Sequence, residues 1–166
     1  MLRDSLSMAV LLAGFTACGH AALPPSAPSD KLGQPVSFSL PSNDGALVTV
    51  PIAGAHATVI DFFGPTCEPC KKKVPEMHAR RAELKAKRAV LVLVGVLADG
   101  ESSDDAKRAL AAWGVDSAFL VDRDGTGKRE AGVTALPSTI LLDAQGRVTW
   151  VAPPNATAED IVAAIR

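Results

Sequence analysis

Asp61-Phe62-Phe63-Gly64-Pro65-Thr66-Cys67-Glu68-Pro69-Cys70-Lys71-Lys72-Lys73-Val74-Pro75 is the stretch on which the reading of this chain turns. It begins inside Ala57–Phe63 (ATVIDFF), an apolar run with β-branched members, as a strand buried on both faces should be. It ends in residues 71–88, where Val74, Met77 and Leu84 recur at helical spacing. A Cys-x-x-Cys therefore stands where a buried strand passes into a helix. A helix N-terminus carries unpaired N–H groups and a partial positive charge, which favour a thiolate over a thiol. A free cysteine titrates near 8.5, and this setting lowers it by one to several units, roughly. Cys67, at the exposed start, is the expected nucleophile. Cys70, one turn further in, can close a disulfide on it.

Two plainer readings compete with redox chemistry. A structural zinc site needs two further Cys or His ligands at suitable spacing. The only histidines are His20, His56 and His78, and they offer no such set, so no metal is expected. A purely structural disulfide gains little from so short a loop. The strand–CxxC–helix context favours a redox pair.

Composition narrows the rest. The chain has 166 residues, 17 basic and 18 acidic, for a formal net charge of −1. That length suits one domain, and 48% apolar residues can fill its core. Near-zero net charge speaks against nucleic acid as a partner. Five Phe, two Trp and no Tyr leave few platforms for stacking bases or sugars.

The N-terminus reads as an export signal. Residues 1–17 (MLRDSLSMAVLLAGFTA) hold an apolar run too short to span a bilayer, closing on small residues. Phe15-Thr16-Ala17-Cys18 resembles the lipobox of bacterial lipoproteins, with Cys18 as the lipid anchor and Phe15 replacing the usual Leu. Ordinary signal cleavage nearby is the alternative. Gly19 occupies the place where Asp signals inner-membrane retention in the sorting systems this resembles, which favours the outer membrane. Residues 18–31, rich in Pro, Ala and Ser, read as a tether, and residues 32–166 as the folded domain.

Within that domain, strands are expected at 36–40, 47–50, 57–63, 89–97, 118–121, 139–142 and 147–151. Helices are expected at 71–88, kinked at Pro75, from 102 or 103 to 113, and at 157–165, with a helix or turn at 128–132. This order implies an α/β fold with a mixed sheet and helices on both faces. Residues 71–88 carry eight basic against two acidic side chains, +6, leaving −7 on the remainder. They read as a solvated face, with docking of an acidic partner or anionic headgroups as the sharper alternative. Asp61 interrupts an apolar strand between Ile60 and Phe62. Burial there would raise its pKa, and near neutrality it could exchange protons with Cys70 through a water.

From about Leu32 to Arg166 the chain resembles the TlpA/ResA group of exported bacterial thiol-disulfide oxidoreductases. The resemblance rests on residues 32–41 (LGQPVSFSLP), Cys67-Glu68-Pro69-Cys70, Pro75, Leu136-Pro137-Ser138-Thr139 and the hairpin glycine Gly146. It implies a thioredoxin-like fold, a mixed central sheet flanked by helices, with an N-terminal β-hairpin extension. It further implies a cis proline at Pro137, where the Leu136 backbone positions substrate opposite the disulfide. Asp61 stands six residues before Cys67, as the buried acid of thioredoxin does. Thr66 replaces the family's usual Trp, removing an aromatic wall, and Lys73 stands where ResA-like proteins often carry Glu.

The function expected is a membrane-tethered, exported oxidoreductase, a monomer without cofactor, acting on protein thiols and disulfides. Glu68 opposes a very low Cys67 pKa and leans the direction toward reduction. A reductase in an oxidising compartment needs electrons, which the resemblance assigns to a membrane thiol-transfer protein. Two other classes compete with this reading. A peroxiredoxin-type thiol peroxidase would need a P-x-x-x-T/S-x-x-C pattern, for which Pro65-Thr66-Cys67 is too compact. A Sco-like copper-delivery protein would need a longer Cys spacing and a His beyond His78.

Overall fold

The computed structural model describes residues 29–166. The signal segment, Cys18 and most of the tether lie outside the described residues.

Seven strands and five α-helices follow a short 3-10 turn at Ser29–Lys31. In chain order they are β1 (Phe38–Pro41), β2 (Leu47–Val50), β3 (Ala57–Phe63), α1 (Glu68–Ala79), α2 (Arg81–Ala86), β4 (Ala89–Val96), α3 (Ser103–Ala112), β5 (Leu120–Asp122), α4 (Thr126–Glu130), β6 (Ser138–Asp143), β7 (Val148–Val151) and α5 (Ala158–Ala164). β1 and β2 form an antiparallel hairpin of their own, and the other five build a mixed sheet in the order β5-β4-β3-β6-β7. β3 runs parallel to β4 and antiparallel to β6, so it is paired on both edges.

That position explains the apolar run. All seven β3 residues are buried, and successive side chains point to opposite faces. Ile60 and Phe62 join Val92, Val94, Ile140 and Leu142 in a core closed by the hairpin, through Phe38, Leu40 and Val50, and by Ala131 and Val133 around the end of α4. Val59, Asp61 and Phe63 face the other way. There Val59 packs with Met77, Leu84, Leu141 and Ile161 from α1, α2, β6 and α5. Phe63 packs with Cys70, Val74 and, from α3, Ala106 and Leu110.

The helices start where side chains can cap them. Ser102 and Thr157 each accept from the backbone N–H three residues on, and Asp105 and Asp160 reach back to complete a capping box. The segment expected as one helix over 71–88 is two. α1 starts earlier, at Glu68, and continues through Pro75; the interruption lies at Arg80, whose φ of −86° and ψ of 5° leave the helical range. Arg80 N–H turns back to the carbonyls of Met77 and His78, ending α1 before α2 begins.

The core assignment has a direct consequence. Phe62→Ala empties a fully buried aromatic site and should lower the unfolding free energy by about 3–5 kcal/mol. Leu47→Ala, at a side chain 72% exposed, should stay within about 0.5 kcal/mol of the parent. Urea denaturation of the two variants measures the contrast.

Candidate active site at the start of the first long helix

The chain leaves β3 through Gly64-Pro65-Thr66 and enters α1 with Cys67 as its N-cap. Cys67 Sγ accepts from the Cys70 backbone N–H at 3.3 Å, and Cys67 N–H donates to Gly64 O at 3.2 Å. Cys67 and Cys70 form a disulfide with their Cα atoms 5.3 Å apart. The two sulfurs differ in access: Cys70 is fully buried against Phe63 and Val74, whereas Cys67 is half-buried.

Leu136-Pro137 comes from the loop before β6, and the bond between them is cis. The loop meets the β3–α1 junction at Gly64. A Cβ there would stand 3.2 Å from Leu136 Cδ1 and 3.6 Å from Cys67 Cβ. The Leu136 side chain therefore sits over the β3–α1 junction. Pro69, Lys72, Lys73 and Glu76 on α1 face Leu136, Pro137 and the 154–157 loop across a groove of 470 Å³.

Asp61 lies beneath, on the sheet face that α1 covers. It is fully buried. Its register partner on β6 is Thr139, whose hydroxyl donates to Asp61 Oδ1 at 2.7 Å. Oδ2 has no hydrogen-bond partner among the described residues. Burial pushes the Asp61 carboxyl up to about 6, against the Thr139 hydrogen bond and the Lys73 ammonium, which pull it down. Lys73 is itself only 9% exposed. Burial holds its pKa below the usual lysine value, and Asp61 and Glu76 draw it back up.

The structure thus brings Cys67, Cys70, Leu136 and Pro137 together beyond the end of β3, with Asp61 buried within that strand two residues before its end; Cys18 lies outside the described residues. Three further residues escaped the sequence reading. Lys73 belongs to the basic run that reads as a solvated face, and only the packing of α1 on β3 reveals it as buried. Thr139 becomes the partner of Asp61 through strand register. Trp113, which ends α3, packs edge-on against Phe63 at 6.0 Å and lines a cleft with Cys67. Among the described residues no group of three or more His, Cys, Asp or Glu could hold a metal ion. A depression of 790 Å³ beside His56, Trp150 and Arg166 contains none of the predicted site residues.

With this geometry in place, a family model described as Redoxin matches residues 27–165. The chain belongs to the Redoxin family. This Redoxin chain is similar to the thiol-disulfide oxidoreductase ResA of Bacillus subtilis, 27% identical over 121 residues, which cover 73% of this chain and 66% of that protein. For ResA of Geobacillus thermodenitrificans the covered share is 57%, so the chain spans somewhat under two thirds of these relatives' length. The crystal structure of StoA from Bacillus subtilis superposes with a TM-score of 0.68 at 20% identity, covering 81% of this chain and 99% of StoA. A peroxidoxin, BcpB from Mycobacterium tuberculosis, superposes with a TM-score of 0.66 at 19% identity, covering 81% and 96%. At such identities the superpositions establish the thioredoxin-like fold alone, which StoA and a peroxidoxin share.

Asp61 also makes stability depend on pH in a defined direction. Its folded pKa, about 6, lies above its ordinary 3.8. The folded state therefore holds this proton more tightly than the unfolded chain does. The stability that proton contributes is full below about pH 4 and is lost as pH rises through about 6. Asp61→Asn removes the titration and keeps a group that can accept from Thr139. It should be more stable than the parent by about 2–3 kcal/mol at pH 8 and nearly equal to it at pH 4. Urea titrations of the oxidised proteins at the two pH values read this difference; equal shifts at both would contradict the assignment.

Proposed function

We propose that this chain is an exported thiol-disulfide oxidoreductase that reduces protein disulfides with the Cys67–Cys70 pair, tethered to a membrane through lipidated Cys18. One observation carries the reading: the accessible member of the pair caps a helix N-terminus, while the other is buried one turn behind it. The likeness to ResA proteins supports the same class of chemistry.

In the proposed reaction the Cys67 thiolate attacks one sulfur of a substrate disulfide. That S–S bond breaks, a mixed disulfide forms, and the first substrate sulfur leaves and takes up a proton. Leu136 and Pro137, across the groove from α1, hold the substrate segment during attack. Cys70 then gives up its proton, which Asp61 accepts through a water, and attacks Cys67 Sγ. The second substrate sulfur leaves and is protonated, and the Cys67–Cys70 disulfide closes. Two electrons and two protons have passed to the substrate. A membrane thiol-transfer protein returns the pair to the dithiol.

Glu68 supports the reductive direction. It sits in the first turn of α1, where its carboxylate opposes the helix N-terminus in stabilising the Cys67 thiolate. Its own cation partner, Lys71, is 3.9 Å away and both side chains are well exposed, so screening leaves that pairing weak. A moderately lowered thiol pKa leaves the dithiol form a better electron donor.

Insulin reduction followed by turbidity tests the assignment of roles. Cys67→Ser should abolish turnover, and Cys70→Ser should accumulate mixed disulfides trapped on Cys67. Rapid alkylation of Cys70 with an inert Cys67 would reverse the roles and sink the mechanism.

The tether is tested separately, in cells. Cys18→Ala should leave unprocessed precursor and remove the mature protein from the membrane fraction. Unchanged processing, with a mature mass lacking a lipid increment, would refute the anchor.

A further inference from the structure

On the α3 side of Cys67 lies a cleft of 320 Å³ whose lining includes Pro65, Thr66, Cys67, Glu68, Lys71 and Trp113. It shares no residue with the groove bounded by Leu136 and Pro137. The first turn of α1 thus has a depression on either side, and the cysteine proposed to attack lines this one.

Two features of the sequence create it. Thr66 is small, and its hydroxyl donates to Glu101 Oε1 at 2.9 Å. The other oxygen of Glu101 accepts from Ala98 N–H at 2.8 Å, which ties Thr66 to the loop after β4. Trp113 forms the opposite wall. Its backbone N–H closes α3 onto Ala109 and Leu110 carbonyls, and Gly114, at φ 76°, turns the chain away behind it. Its indole packs edge-on to Phe63, and Phe63 edge-on to Phe119 at 5.8 Å. The ring is thereby held by the core while remaining half-buried at the cleft.

We propose that this cleft is a second substrate subsite, in which Trp113 receives an aromatic side chain adjacent to the cysteine of the disulfide under attack. This rests on the oxidoreductase reading and adds to it a substrate preference. The aromatic wall absent at position 66 is supplied from α3. The occupant follows from the lining. Glu68 and Lys71 stand 3.9 Å apart and offset one another, the Glu101 carboxylate behind Thr66 is engaged by Thr66 and Ala98, and the one aromatic surface among the lining residues is the indole of Trp113. An offset or edge-on ring pair is what such a surface rewards. Trp113 here is a positioning residue, since it touches substrate beside the reacting bond and takes no part in electron transfer.

Three disulfide substrates test this: matched peptides with Phe or with Gly beside the cysteine, and 2-hydroxyethyl disulfide as a reference without side chains. The wild-type protein should reduce the Phe peptide with about fivefold higher kcat/KM than the Gly peptide. Trp113→Ala should bring that ratio to about one, and Trp113→Phe should retain most of it. Because a ratio is read within each protein, a general loss of stability cannot imitate the result. A wild-type protein that reduces all three substrates without favouring Phe overturns the subsite and leaves the oxidoreductase reading standing. Failure to reduce any of the three sinks both.

Discussion

The passage from β3 into α1 is the constraint on which the rest of the molecule depends. β3 is hydrogen-bonded on both edges and covered on both faces, so its last residues are fixed by the whole sheet. α1 starts five residues later with Cys67 as its cap. The position of that sulfur is therefore inherited from the sheet, as is the direction of the helix N-terminus that acts on it. The Leu136-Pro137 loop is brought to the same point from the other side, because β6 is the antiparallel neighbour of β3. Gly64 leaves the room in which loop and junction meet. A site built this way needs no further scaffold to keep its reacting atom in register with the groove that holds a substrate.

The same packing sets the electrostatics. A carboxyl group in the middle of the most buried strand is costly to ionise, and the protein offsets this only in part, with one hydroxyl and one nearby ammonium. Lys73 is held between the same opposing effects, burial against its acidic neighbours. A buried acid and a buried base accompany the half-buried Cys67, each shifted toward its neutral form by desolvation. Such a pair destabilises the fold while providing a group that can change protonation near neutral pH, a trade expected at a reactive site.

Much of this was legible in the residues themselves. The apolar run at 57–63 and the cysteine spacing placed a buried strand before a capped helix, and the Asp61 interruption marked a polar group that burial would perturb. The hairpin at 38–50 and the alternation of strands and helices pointed to the mixed sheet. Long-range register was not legible. That Thr139 lies opposite Asp61 depends on the pairing of strands 78 residues apart. Lys73 looks like its neighbours Lys71 and Lys72 until the helix is docked, and then the turn of α1 sends it inward and leaves those two exposed. Trp113 reads as the end of a helix; its place beside Cys67 arises from how α3 crosses back over the sheet. The break at Arg80 also reflects docking, since the chain must turn there for α2 to lay Leu84 against Met77 and Ala89.

The central claim is that Cys67 is the reactive thiolate because it caps α1. The pH dependence of alkylation of the reduced protein by iodoacetamide, with mass spectrometry assigning the modified cysteine, measures this directly. The account predicts modification at Cys67 well ahead of Cys70, along a curve whose midpoint lies below the free-cysteine value of about 8.5. Preferential modification of Cys70, or a Cys67 midpoint at or above that value, would contradict it.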